Sequence, residues 1–100
     1  MEKEIIWTAN AQNQLEEIYF YLLEITKNDS IPEKVVATIY DSVSILKSNS
    51  EIYQLDEMKS LNDGSYRAYE IYHYRISYKI AQKAIYILRI RHTSRNPKQL

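Results

Sequence analysis

The chain contains no cysteine, which excludes disulfides, thiolate nucleophiles and cysteine-ligated zinc. Its single glycine, Gly64, excludes the several-glycine loops that cradle phosphates in nucleotide-binding motifs. Two histidines are too few for a histidine-rich metal centre, so neither a metal nor a cofactor is expected. No apolar run approaches the roughly 18 residues of a membrane span. The start Met1-Glu2-Lys3-Glu4 also lacks the basic-then-apolar layout of a secretory signal. A cytoplasmic chain with no membrane partner is therefore expected. Only two prolines stand among 100 residues, 45% of which are hydrophobic. That balance excludes collagen-like and disordered classes, because enough apolar surface is present to offset chain entropy. One globular domain over residues 1–100 is predicted.

Acidic residues are scarce only in the last third. Residues 1–64 hold five Lys/Arg against twelve Asp/Glu, a net −7, whereas residues 65–100 hold eight Lys/Arg against Glu70 alone, a net +7. The overall charge of zero thus conceals a strong asymmetry. If the basic third forms one surface, its field suits phosphates or an acidic partner. The plain alternative is that acidic helices neutralise basic strands across a shared interface.

Hydrophobic periodicity supplies the elements. Glu4-Ile5-Ile6-Trp7 is a β-branched, apolar run that ends at Thr8, a good helix cap. Leu15, Ile18, Leu22 and Ile25 then recur at helical spacing, predicting a helix from Ala9 to Thr26. After the polar break Lys27-Asn28-Asp29, Ser30-Ile31-Pro32-Glu33 reads as a capping box opening a second helix that stops near Ser48-Asn49-Ser50. The short loop between them predicts an antiparallel hairpin. Residues 51–65 lose all periodicity and read as a loop, with Asp56-Glu57 as solvated charges. Strands are predicted at Tyr66–Tyr72, Tyr74–Ile80 and Ala84–Arg91, the last apolar at nearly every position, as a strand covered on both faces would be. The order β-α-α-β-β-β predicts an α+β fold: an N-terminal strand and a helix hairpin packed on one face of a mostly antiparallel four-stranded sheet.

Strand parity assigns faces. Tyr74, Ile76, Tyr78 and Ile80 share the core side and Arg75, Ser77 and Lys79 the other. In the last strand Tyr86, Leu88 and Ile90 are expected in the core, leaving Ile85, Ile87, Arg89 and Arg91 outward. Arg67 and Tyr69 are expected on that open side as well. The result is a cationic sheet face of Arg67, Arg75, Lys79, Arg89 and Arg91 with Tyr69 among them, continued by Arg95 in the tail. Such cations can anchor a phosphodiester and stabilise the charge that builds during its cleavage, and tyrosines can stack on bases, although strand tyrosines more often pack half-buried. His92, between Arg91 and the tail, is a candidate general base, or simply a strand-end residue bonded to backbone.

Ile6-Trp7-Thr8, Tyr66-Arg67, Tyr74-Arg75-Ile76-Ser77-Tyr78 and the run Ile87 to Pro97 together resemble the RelE/ParE superfamily of bacterial type II toxin–antitoxin toxins. The resemblance spans nearly the whole chain in the same element order. It implies a growth-arresting toxin held inactive by a cognate antitoxin. The superfamily has two branches: RelE-like members cleave mRNA in the ribosome, and ParE-like members poison DNA gyrase. On the ribonuclease alternative the resemblance makes Arg67, Arg75 and His92 catalytic. Arg67 stands where those enzymes carry a strand lysine, and Arg75 matches their strand arginine. Tyr69, however, stands where a second lysine is common, and no tyrosine follows Tyr86. The ending Ile87 to Pro97 is similar to that of ParE-like chains, so the gyrase branch is favoured, with Tyr69, Lys79, Arg89, Arg91 and Arg95 as binding residues.

Overall fold

A computed structural model describes residues 2–93. β1 (Glu4–Trp7) leads into α1 (Ala9–Thr26) and α2 (Ser30–Ser42). A 3-10 turn at Val43–Lys47 prolongs α2, and β2 (Tyr66–Ile71), β3 (Tyr74–Ile80) and β4 (Ala84–His92) follow. The four strands form one sheet in the order β1-β4-β3-β2, with β1 parallel to β4 and the other pairs antiparallel. This is the expected α+β arrangement.

Local chemistry explains the helix ends. Thr8 keeps an extended backbone and its Oγ1 accepts from the Ala11 N–H at 3.2 Å, while Lys27 closes α1 in the left-handed region at φ 55°. The capping box at Ser30–Glu33 does not form. The Ser30 amide and hydroxyl both donate to Asn28 Oδ1, at 2.9 and 2.7 Å, and the Glu33 amide goes to the Asp29 carbonyl. An Asx turn at Asn28 claims the serine first. The α-geometry of α2 also stops earlier than the periodicity suggests. At Ser42 the hydroxyl donates to the Ile39 carbonyl and engages Tyr69, and the chain tightens into the 3-10 turn.

The helices pack on one face of the sheet. Ala11, Ile18, Ile39, Val43 and Leu46 meet Tyr69, Tyr74, Ile76, Tyr78, Ile85, Ile87 and Ile90 in a single core. The parity expected for β4 fails in its first half. Ile85 and Ile87 are fully buried rather than outward, and Tyr86 lies opposite Lys79 on the open face. A β-bulge causes this: Ser77 pairs with Arg89 but Tyr78 pairs with Ile87, so Leu88 is the extra residue and the alternation shifts by one at that point. Ile85, Ile87 and Ile90 can then all face the core while Arg89 and Arg91 stay outward. The apolar run in β4 therefore reflects the bulge, not cover on both faces.

β1 ends at Trp7, opposite Ile87, and α1 takes over as the neighbour of β4. Thr8 donates from both amide and Oγ1 to the Ile87 carbonyl, Asn10 Nδ2 donates to the Leu88 carbonyl at 3.0 Å, and Gln14 Oε1 accepts the Ile90 N–H at 2.6 Å. The N-cap and the first two turns of α1 thus satisfy backbone groups that lack a strand partner. At the far edge, residues 54–56 are knitted to β2 by Asp56 N–H to the Tyr66 carbonyl and Ala68 N–H to the Gln54 carbonyl, so part of the expected loop shields the sheet edge.

Candidate functional site: the open face of the sheet

Register places the side chains of the uncovered face in rows. Glu70, Arg75 and Arg91 stand opposite one another across β2, β3 and β4. Ala68, Ser77 and Arg89 form the next row, and Tyr66, Lys79 and Tyr86 the third. Arg75, Ser77, Arg89 and Arg91, together with Glu70 and Asp56, line a cavity of about 180 Å³. Arg75 directly opposite Arg91 is a like-charge cross-strand pair, an arrangement that destabilises a sheet. One element from outside the sheet offsets it. Asp56, in the segment before β2, accepts from Arg75 Nη2 at 2.6 Å, with side chains 12% and 25% exposed, and the same oxygen accepts the Met58 amide at 2.9 Å. The side chains of Arg89 and Arg91 make no hydrogen bond or ion pair among the described residues. In the third row the ammonium groups of Lys59 and Lys79 lie 4.5 and 5.3 Å from the Tyr66 ring centroid, a cation–π arrangement.

Two expected members of the face lie elsewhere. Tyr69 pairs with Ile76 on the helix side; it is buried, stacks on Tyr53 with centroids 4.2 Å apart, and shares a 2.6 Å hydrogen bond with Ser42. Burial pushes its hydroxyl up to about 12. Arg67 pairs with Tyr78 on that same side and donates to the carbonyls of Gly64, Glu51 and Tyr53, with Glu51 Oε2 3.6 Å away. Both deviations have one physical reason. β2 begins at Tyr66 as expected, but its register with β3 pairs Tyr66, Ala68 and Glu70 with the outward Lys79, Ser77 and Arg75, which turns Arg67 and Tyr69 to the helix side. The expected parity counted the strand from the other face.

His92 pairs with Tyr74, also on the helix side, and its ring meets the Tyr74 ring edge-on at 5.1 Å. It borders the cavity but is out of line with the arginine row. Arg75, Lys79, Arg89 and Arg91 are brought together as expected; Arg95 lies outside the described residues. The residue that sequence reasoning passed over is Asp56. Its only signal is the Asp56-Glu57-Met58 turn, an Asx pattern that holds a carboxylate in place without naming the arginine it meets. No group of three or more acidic or histidine side chains among the described residues could hold a metal ion.

A second surface lies on the hairpin. Trp7 stacks on Tyr40 at 5.3 Å with the rings 7° apart, and with Tyr19, Phe20 and Val36 they line a largely apolar groove of about 420 Å³. Phe20 and Tyr40 in this groove remain about half exposed, apolar surface of the kind that interaction sites use, and the equally exposed Tyr21 and Ile25 border a separate hollow beside Tyr74 and Ile90.

The family model described as the ParE toxin of type II toxin–antitoxin systems, parDE, matches residues 5–97. This chain belongs to the ParE toxin family. The partner of such a toxin is a cognate antitoxin, by the nature of the two-component system the family serves. A solved structure described as a chromosomal ParDE toxin–antitoxin system from P. aeruginosa superposes with a TM-score of 0.76 at 20% identity, covering 91% of this chain and 96% of that one. At that identity it speaks for a shared fold, the hairpin-on-sheet layout that places the open face and the groove of this ParE-family chain. No curated protein matches the sequence. No described helix is long and apolar enough to cross a membrane.

Proposed function

We propose that this ParE-family toxin arrests growth by inhibiting DNA gyrase, and that its antitoxin neutralises it by covering the apolar hairpin groove. The observation that carries the choice of target is the family match over residues 5–97. The geometry supports it against the ribonuclease alternative. Of the three residues a RelE-like mechanism would use, only Arg75 stands on the open face. Arg67 is tied to backbone carbonyls, and His92 packs against Tyr74 across the strand. An RNA-cleaving site needs its acid, base and phosphate clamp converged on one phosphodiester; here they are split between two faces.

Induction of the chain without antitoxin in a susceptible bacterium tests this. Thymidine incorporation should fail within minutes, before methionine incorporation, with gyrase-linked DNA breaks and an SOS response. Methionine incorporation failing first would replace gyrase by the ribosome as target.

A further inference from the structure

Three arginines on two adjacent rows of the open face converge on one cavity. Three guanidinium groups, those of Arg75, Arg89 and Arg91, share one face with the Ser77 side chain and line one small cavity. Two of them have no anionic partner among the described residues, and the third is neutralised by a carboxylate that comes from another part of the chain. Arginine forks match the geometry of phosphate oxygens. The three cations outnumber the two carboxylates at the cavity, Asp56 and Glu70, so an arriving anion meets a net positive site.

We propose that Arg75, Arg89 and Arg91 form a phosphate-binding site on the open face and that Asp56 acts as its built-in competitor, holding Arg75 until a phosphate group displaces the carboxylate. Asp56 sits on the segment 54–56 that is knitted to the edge of β2, so occupation of the site is coupled to that segment. Two row positions along β3, Lys79 stands beside the Tyr66 ring on the same face. A polymer of phosphates therefore has a second cation and an aromatic ring about 13 Å farther along, taking the usual strand rise over four residues. That favours the phosphodiester of a nucleic acid over an isolated phosphate as the source. The site goes beyond the toxin's effect on gyrase and stands or falls separately from it, because its test is a binding measurement on the purified chain.

The test is a titration of the full chain with four probes in 50 mM salt: a fluorescent single-stranded 12-mer, ATP, inorganic phosphate, and an acidic peptide, each followed by anisotropy or by backbone amide shifts. Asp56→Asn should tighten oligonucleotide binding at least threefold, whereas Asp56→Glu, which keeps the charge, should stay within twofold of the parent. Arg89→Ala combined with Arg91→Ala should weaken it and make the slope of log affinity against log salt shallower by about two. Thermal melts establish that each variant is folded. If ATP and phosphate bind as tightly as the oligonucleotide, the source is a free phosphate and the polymer reading is overturned. If a folded Asp56→Asn chain binds no more tightly than the parent, Asp56 is only a structural tie and the competitor role falls. An acidic peptide that binds as well as the 12-mer would overturn the phosphate assignment.

Discussion

Arg67 shows how a residue type can suggest chemistry that its surroundings forbid. A guanidinium that donates to three backbone carbonyls stabilises the 51–65 segment rather than gripping a ligand. Arg67→Ala should lower unfolding free energy by about 1–3 kcal/mol, because a partly buried carbonyl loses its donor. Urea denaturation measures this. Arg67→Lys should not restore it, since one ammonium cannot reproduce the planar fork. The core tyrosines make a second prediction. Burial raises both Tyr69 and Tyr78 from the usual 10 to about 12. For an acid whose folded value lies above its unfolded one, the stabilisation is complete below about pH 10 and is lost as pH climbs toward 12. Chemical denaturation midpoints should therefore hold steady from pH 8 to 9.5 and fall between pH 10 and 12. Replacing both tyrosines with phenylalanine should flatten that fall.

Among the elements, β4 is where regular alternation breaks. Its bulge at Leu88 is matched by α1, whose Thr8, Asn10 and Gln14 side chains satisfy the neighbouring backbone groups. Gln14→Leu removes the acceptor of the Ile90 amide. It should cost about 1–3 kcal/mol, and hydrogen exchange at Ile90 should quicken more than at Ile76 in the centre of β3. Equal protection of the two amides in the variant would mean that the Gln14 bond is not what protects Ile90. The element boundaries were largely legible in the sequence, because periodicity, Thr8 and the polar breaks all act locally. The bulge was not. Ala84 to Ile90 is apolar at almost every position, so nothing in the run marks which isoleucines alternate with which, and only pairing against β3 decides it.

For the whole molecule the charge asymmetry of the sequence becomes a spatial one. Glu16, Glu17, Glu24 and Glu33 are exposed on the hairpin, while Arg75, Lys79, Arg89 and Arg91 share the opposite, uncovered sheet face. Despite zero net charge, the chain should bind heparin resin at pH 7.5 in low salt and elute as salt rises, because a concentrated patch acts locally. Replacing Arg89 and Arg91 with alanine should send it into the flow-through, and a parent chain that fails to bind would show that the acidic side cancels the field. The sequence by itself determined the elements, their order, the α+β class and the family, since caps, periodicity and motif strings are properties of short stretches. Only the tertiary structure decided the faces. Residue parity is relative until two strands are paired, so it took the β2–β3 register to move Arg67 and Tyr69 inward, and the bulge to bury Ile85 and Ile87. The contact of Asp56 with Arg75 joins residues 19 positions apart through a turn whose path is set by its bonds to β2, and no local pattern encodes such a meeting.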